Sequence, residues 1–222
     1  MNMLSRLLAS LLAAFAVATS ASANPVLTLQ AHPNRVHALE NLYVDVVISG
    51  LQSGGTNTLL GAFDLTLTYD PAVLQLLLTG MTTLGGALGD PADPAQTIVG
   101  GDISTPGVFR FFEVSLLESS ASTCTFCVGP YLEDLQGDSL LLATLAFYDP
   151  GTVSTSSTQL GLVQGAAVFA DAFGNAMANV DVQNHLTITI PEPAIMLLVP
   201  PALLAAIGSS RRRRRDTLGD CC

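Results

Sequence analysis

The 222-residue chain is 49% hydrophobic, 12% charged and 6% aromatic, with no tryptophan, which leaves room for one domain of ordinary size or at most two small ones. All eight basic residues are arginines, and five of them form one run near the end, Arg211 to Arg215. With Glu192, Asp216 and Asp220 set aside, residues 24–190 hold 15 acidic groups against Arg35 and Arg110, a net charge of about −13 that makes nucleic acid a poor partner.

The first 23 residues have the form of a secretory signal peptide. Arg6 supplies a positive start, Leu7 to Val17 an apolar stretch, and Ala21-Ser22-Ala23 the small residues that a signal peptidase accommodates. Cleavage is expected between Ala23 and Asn24, so the mature chain begins at Asn24 and is exported.

From there the pattern has period two, as in β-strands half-buried on one face. In "NLYVDVVISGL", Leu42, Val44, Val46 and Ile48 share a face, with Tyr43, Asp45 and Ser49 opposite. In "AFDLTLTYDP", Phe63, Leu65, Leu67 and Tyr69 alternate with Asp64, Thr66, Thr68 and Asp70. Leu141, Ala143, Leu145 and Phe147 share a face of "LLLATLAFYDP", and Leu186, Ile188 and Ile190 do so in "HLTITIP". Weaker strands are expected at Val26 to Gln30, Val73 to Leu78, Gly107 to Leu116, Gln159 to Val163 and Ala166 to Phe169. Asp70-Pro71 and Asp149-Pro150 stop strands because proline cannot donate to a ladder. Gly54-Gly55, Gly85-Gly86 and Gly100-Gly101 mark loops. One short helix is expected in "PYLEDLQG", with Pro130 near its start and Gly137 past its end. Eight or nine short strands predict an all-β, two-sheet sandwich over residues 24–190.

Candidate chemistry is sparse. Cys124 and Cys127 form a Cys-x-x-Cys pair, but no βαβ setting surrounds it, and His32, His37 and His185 lie far away without ligand spacing. In an oxidising compartment the simpler reading is a small-loop disulfide between Cys124 and Cys127. Asp90, Asp93 and Asp102 fall in one loop region whose oxygens suit calcium. Their spacing matches no EF-hand, and acidic loops on an acidic domain are ordinarily just solvated, so no cofactor is expected. Asp171, Asn175, Asn179 and Asp181 read as a strand-to-strand loop rich in turn formers. No nucleophile elbow, metalloprotease motif or phosphate loop occurs, and nothing singles out a carboxylate pair. The expectation is a protein without catalytic residues.

At the C-terminus Ala194 to Ser210 is apolar or small throughout, and its 17 residues would reach about 25 Å as a helix. Arginines at one end only would hold that end in the cytoplasm. Pro191-Glu192-Pro193, the apolar stretch and Arg211, Arg212, Arg213, Arg214 and Arg215 together resemble the PEP-CTERM sorting signal over residues 191–222. That resemblance implies processing by the membrane protease exosortase near the Pro-Glu-Pro, a transient transmembrane anchor, and bacteria that make extracellular polysaccharide. "DTLGDCC" departs from it by extending past the basic run. Cys221 and Cys222 would lie in the reducing cytoplasm and are not paired with the other cysteines.

"VDVVISGL", "LGAFDLTLTYDPAVLQLLL", "LLLATLAFYDPGTVST" and "AAVFADAFGNAMANVDVQNHLTI" resemble, in order and spacing, the cohesin domain, from about Val26 to Ile190. The resemblance implies a nine-strand jelly-roll sandwich related to carbohydrate-binding modules. It also implies a non-enzymatic binding or adhesion role at the cell surface or in the extracellular matrix, with a dockerin-like protein as partner. The alternative is a polysaccharide ligand stacked on planar aromatics, for which Tyr43 and Tyr148 are the outward tyrosines and Tyr131 the third.

Overall fold

Every second side chain of Asn41–Ser49 is shut off from solvent: Leu42, Val44, Val46 and Ile48 each expose 0%. The same alternation repeats along Leu60–Thr68, and the two apolar faces meet to form the core of a two-sheet sandwich. The structure is a computed structural model that describes residues 24–34, 37, 39–52, 58–79, 81–90, 92–123, 128–151 and 157–190.

The strands are β1 (Val26–His32), β2 (Asn41–Ser49), β3 (Leu60–Thr68), β4 (Gln75–Leu76), β5 (Thr83–Leu84) and β6 (Thr97–Asp102). After them come β7 (Val108–Ser115), helix α1 (Leu132–Leu135), β8 (Ser139–Tyr148), β9 (Ser157–Leu162), β10 (Val168–Asp171), β11 (Asp181–Val182) and β12 (His185–Thr189). The first sheet runs β11-β1-β2-β8-β4, with β5 also on β8. The second runs β12-β9-β3-β7-β6, with β10 also on β3. All pairs are antiparallel except β1 with β11. Between the sheets Phe109 stacks on Phe111 at 5.2 Å, and Phe63 meets Phe111 edge-on at 6.1 Å. Such contacts add to the burial of the rings themselves.

Three sequence expectations need correction. Leu141 does not share the inward face. A β-bulge in β8, facing the Val46–Val47 step of β2, sets Ala143 opposite Val46 but Leu141 opposite Val47. The extra residue, Leu142, is 1% exposed while Leu141 is 51% exposed, because a bulge shifts the side-chain phase by one. Next, Gly100-Gly101 is strand rather than loop, for a reason given below. Finally, Val73 to Leu78 is strand only at Gln75–Leu76: Val73 and Leu74 donate to the carbonyl of Asp70 where the turn closes, and the Leu77 N–H donates to the Ala146 carbonyl just past the strand. With β5, β6 and β11 added, the described residues hold twelve strands where eight or nine were expected.

Two buried polar side chains clasp the framework. Gln136 takes a hydrogen bond from the Leu60 N–H at 2.8 Å and donates to the Leu60 carbonyl at 2.7 Å. Glu113, 0% exposed on the inward face of β7, accepts at Oε1 from the N–H groups of Gly86 (2.8 Å) and Leu88 (3.2 Å). Gly85 and Gly86 lie at φ of +86° and +85°, a conformation open to glycine, which turns those amides toward the carboxylate. Glu113 thereby pins the segment that crosses from β5 in one sheet to β6 in the other. Among the described residues its Oε2 is buried without a hydrogen-bond partner. Burial pushes its carboxyl pKa up, against the amides of Leu88, Gly86 and Ala87 that pull it down.

Candidate interaction face

The outward side of the second sheet is built in rows by strand register. Ile98, Val114, Ala62 and Ala170 form one row, and Gly100, Phe112, Asp64 and Val168 the next. Asp102, Arg110 and Thr66 form a third. The first two rows are mostly apolar, on a face that a solvated sheet would make polar. Ile98 is 51% exposed and Val168 57%, with Phe112 and Val114 half-buried between them.

Gly100 makes this surface possible. A Cβ placed there would lie 2.5 Å from two carbons of the Phe112 ring, so the ring lies across the bare glycine backbone. This is how an aromatic neighbour compensates a glycine within a sheet, and it keeps Gly100-Gly101 in β6. Small Ala62 opens a cleft at the centre of the face, with Val168 and Ala170 on one side and Phe112 and Val114 on the other. The cleft holds about 160 Å³. That is below the range of small-molecule sites, about 300–1,000 Å³, and suits a single apolar side chain.

The third row is charged. Arg110 Nε donates to Asp64 Oδ1 at 2.9 Å, and the outer guanidinium nitrogen pairs with Asp64 Oδ2. Bonding to Asp64 and the charge of Asp64 raise the Arg110 pKa further, desolvation opposes them, and the charge of Asp102 adds a lesser rise. The arginine is thus committed within the face, which leaves the neighbouring acidic charge in excess.

The sequence-derived candidates fall elsewhere. Asp90 and Asp93 serve their own turns: Asp90 Oδ1 accepts from Ala92 N, and Asp93 Oδ1 from Ala95 N. Asp102 sits at the far end of β6, five residues and so about 17 Å beyond Thr97, where it accepts from Ser104. The structure does not bring the three together, and among the described residues no three His, Cys, Asp or Glu side chains converge on a metal-sized site. Asp171 accepts from Phe173 N, Asn175 N and the Asn175 side chain, and these bonds, the side-chain one first, hold its carboxyl below the ordinary value. Tyr43 and Tyr148 stand half-buried on the outer face of the first sheet, on adjacent strands. On that face Thr144 and His32 both bond to Asp45. A polar groove of about 470 Å³ lies where β11 meets β1, lined by Asn24, Val26, Asn179, Val180 and Asp181. Among the described residues its lining offers one carboxylate, Asp181, and no cationic side chain. Asn24 begins the described chain, whereas Ala21, Ala23, Cys124, Cys127, Pro191, Glu192, Pro193 and Arg211 to Arg215 lie outside the described residues. Among the described residues no helix is long and apolar enough to cross a membrane.

Sequence reasoning missed Ile98, Phe112 and Val168 as a surface. The stretch "FRFFEV" is apolar on both faces, so its period does not say which side is buried.

No protein-family model matches the chain, and no curated protein matches it. Solved structures do. A type II cohesin–X-dockerin complex of Acetivibrio cellulolyticus matches with TM-score 0.53 at 15% identity, over 72% of this chain and 95% of that one. The sixth cohesin of scaffoldin B from the same organism, in complex with a Cel5 dockerin, matches with TM-score 0.52 at 16% identity, over 76% and 100%. A cohesin module from a family 33 glycoside hydrolase of Clostridium perfringens matches with TM-score 0.51 at 18% identity, over 77% and 97%. At these identities the likeness is one of fold: the described strands, from β1 to β12, form a cohesin-like β-sandwich.

Proposed function

We propose that this protein is an exported, non-enzymatic binding module of the cell envelope or extracellular polysaccharide matrix, which docks a protein partner on the outer face of its second sheet. The observation that carries this reading is the exposed apolar surface of Ile98, Phe112, Val114 and Val168 around the Ala62 cleft. Interfaces are anchored by one or a few apolar side chains seated in such a central recess and ringed by polar groups. The row of Asp102, Arg110 and Thr66, with Asp64 paired to Arg110 from the next row, supplies one polar border. The cohesin-like fold, seen elsewhere in complexes with dockerins, supports a dockerin-like module as the partner class. Signal peptidase cleavage at Asn24 and exosortase processing of the PEP-CTERM signal would deliver the module, by way of a transient membrane anchor, to the surface or matrix.

A polysaccharide ligand is the second reading. It uses the opposite face, where Tyr43 and Tyr148 are diagonal neighbours on β2 and β8 and so within reach of one sugar chain.

The test is titration of the full chain in mild detergent with calcium-loaded dockerin modules from its host, and separately with the host's purified polysaccharide. Saturable dockerin binding supports the first reading. Retention on polysaccharide alone, with every dockerin inert, overturns it in favour of the second. Intact mass of the surface and secreted protein tests the sorting step. A species running from Asn24 to about Pro193 supports it, and a chain still ending at Cys222 contradicts it.

A further inference from the structure

We infer that the free edge of β6 pairs with the same edge of a second copy of this chain, antiparallel and centred on Val99. The edge borders the docking face and shares Ile98 and Phe112 with it, but the pairing rests on the backbone groups of β6 and not on a partner docking there.

β6 is the last strand of the second sheet. Sheet edges in native proteins are usually blunted by lysine, proline or a bulge. Residues 97–102, Thr-Ile-Val-Gly-Gly-Asp, contain none of these, and the β6–β7 register runs without a break. Val99 is 40% exposed at this edge, although its side chain points inward and packs against Gly85.

The hydrogen-bond phase shows which groups are free. Leu116 N donates to the Gln96 carbonyl at 2.8 Å, so the even-numbered residues of β6 bond to β7, because bonded and non-bonded pairs alternate along an antiparallel ladder. Thr97, Val99 and Gly101 therefore aim their amides and carbonyls away from the sheet. Among the described residues none of them has a partner on that side.

A two-fold axis at Val99 satisfies all of these groups together. Val99 meets Val99 of the copy, and Thr97 meets Gly101, giving six backbone hydrogen bonds with every odd-numbered residue in bonded register. The side chains agree with this register. Ile98 falls opposite Gly100, the position without a side chain, and reaches the Phe112 ring that lies over it. Asp102 falls opposite Gln96, so no like charges face each other across the seam. A register slipped by one residue would set inward residues against outward ones. A slip by two would place Ile98 opposite Asp102. Self-complementarity of this kind is what a closed two-fold dimer needs, and it commits the edge to a second copy rather than to an arbitrary extended segment. The seam is narrow, in the class of transient contacts below about 1,200 Å². Each domain also carries about −13, so added salt strengthens the pairing by screening that repulsion.

The test uses the full chain in mild detergent with its four cysteines replaced by serine, carrying either Val99→Cys or Thr97→Cys. Paired Val99 positions lie about 5.5 Å apart, whereas the two copies of Thr97 lie about 13 Å apart, four residues along the seam. With a bifunctional thiol reagent shorter than that gap, Val99→Cys is expected to give a covalent dimer in about ten-fold higher yield than Thr97→Cys. Equal yields, or a folded Val99→Cys chain that stays monomeric, overturn the inference. A second variant guards against misfolding. By native mass spectrometry the unmodified chain is expected to show a dimer that grows with concentration and salt. Val99→Lys abolishes it, and Thr187→Lys, on exposed β12, retains it. A dimer that survives Val99→Lys overturns the inference too.

Discussion

The ring of Phe112 lies on the backbone of Gly100, so close that a Cβ there would come within 2.5 Å of ring carbons. The glycine fixes the ring's position, and the ring forms one wall of the cleft over Ala62. Gly100→Ala is accordingly expected to destabilise the fold by about 1–3 kcal/mol through overpacking and to weaken partner binding as the ring is displaced. Denaturant melts and a binding titration on the same preparation check both effects. A fully stable variant with unchanged binding would show that the ring is not held this way.

The bulge in β8 gives a sharper contrast. Leu142→Ala removes a side chain that is 1% exposed, and Leu141→Ser removes one that is 51% exposed. The first is expected to cost about 2–5 kcal/mol, the second within about 0.5 kcal/mol of nothing. Simple alternation gives the reverse order. Chemical denaturation of the two variants decides between them.

That contrast shows what the sequence could convey. Leu42 to Ile48 and Phe63 to Leu67 were legible because one face is apolar and the other polar, and the period carries the answer. In "SLLLATLAF" nearly every residue is apolar, so an inserted residue leaves no mark on the pattern and Leu142 could not be told from Leu141. β6 was hidden because a glycine pair ordinarily signals a turn, and the Phe112 ring that makes it a strand residue lies ten or more residues away. The docking face was unreadable for a related reason. Phe112 and Val114 look like core, and only the position of Phe109, Phe111 and Glu113 on the opposite side shows that they face out. Two-residue strands such as β4 and β11 are too short for any period.

Glu113 makes stability depend on pH. Its folded pKa is raised above the ordinary 4.5, chiefly by burial. Its contribution is therefore fully present below the unfolded pKa and is lost as pH rises through the folded one. Glu113→Gln removes that titration. Relative to the wild type, the variant is expected to gain stability as pH rises above the ordinary 4.5 and to level off once pH passes the raised folded pKa, whatever constant offset the amide introduces. Denaturation midpoints at several pH values measure the difference. A difference that does not change with pH contradicts the assignment.

The clasp between Gln136 and Leu60 involves a side chain only 6% exposed, bonded to both backbone groups of one residue. Gln136→Leu keeps the volume and leaves a buried N–H and a buried carbonyl unpaired, so it is expected to destabilise by about 2–4 kcal/mol. Hydrogen exchange should locate the loss at the start of β3, with the Leu60 amide exchanging fastest among the strand's inward residues.

The central claim is that a protein partner docks on the Ile98, Phe112, Val114 and Val168 face. The most direct measurement is the affinity of one dockerin partner for three versions of the full chain: wild type, Phe112→Asp, and Tyr43→Ser with Tyr148→Ser. Phe112→Asp is expected to weaken binding by at least about 30-fold, as removal of a central anchor does, while the tyrosine pair on the opposite face leaves it unchanged. Loss of binding only when the tyrosines are removed, with Phe112→Asp binding as the wild type does, would contradict the claim and place the partner on the other sheet.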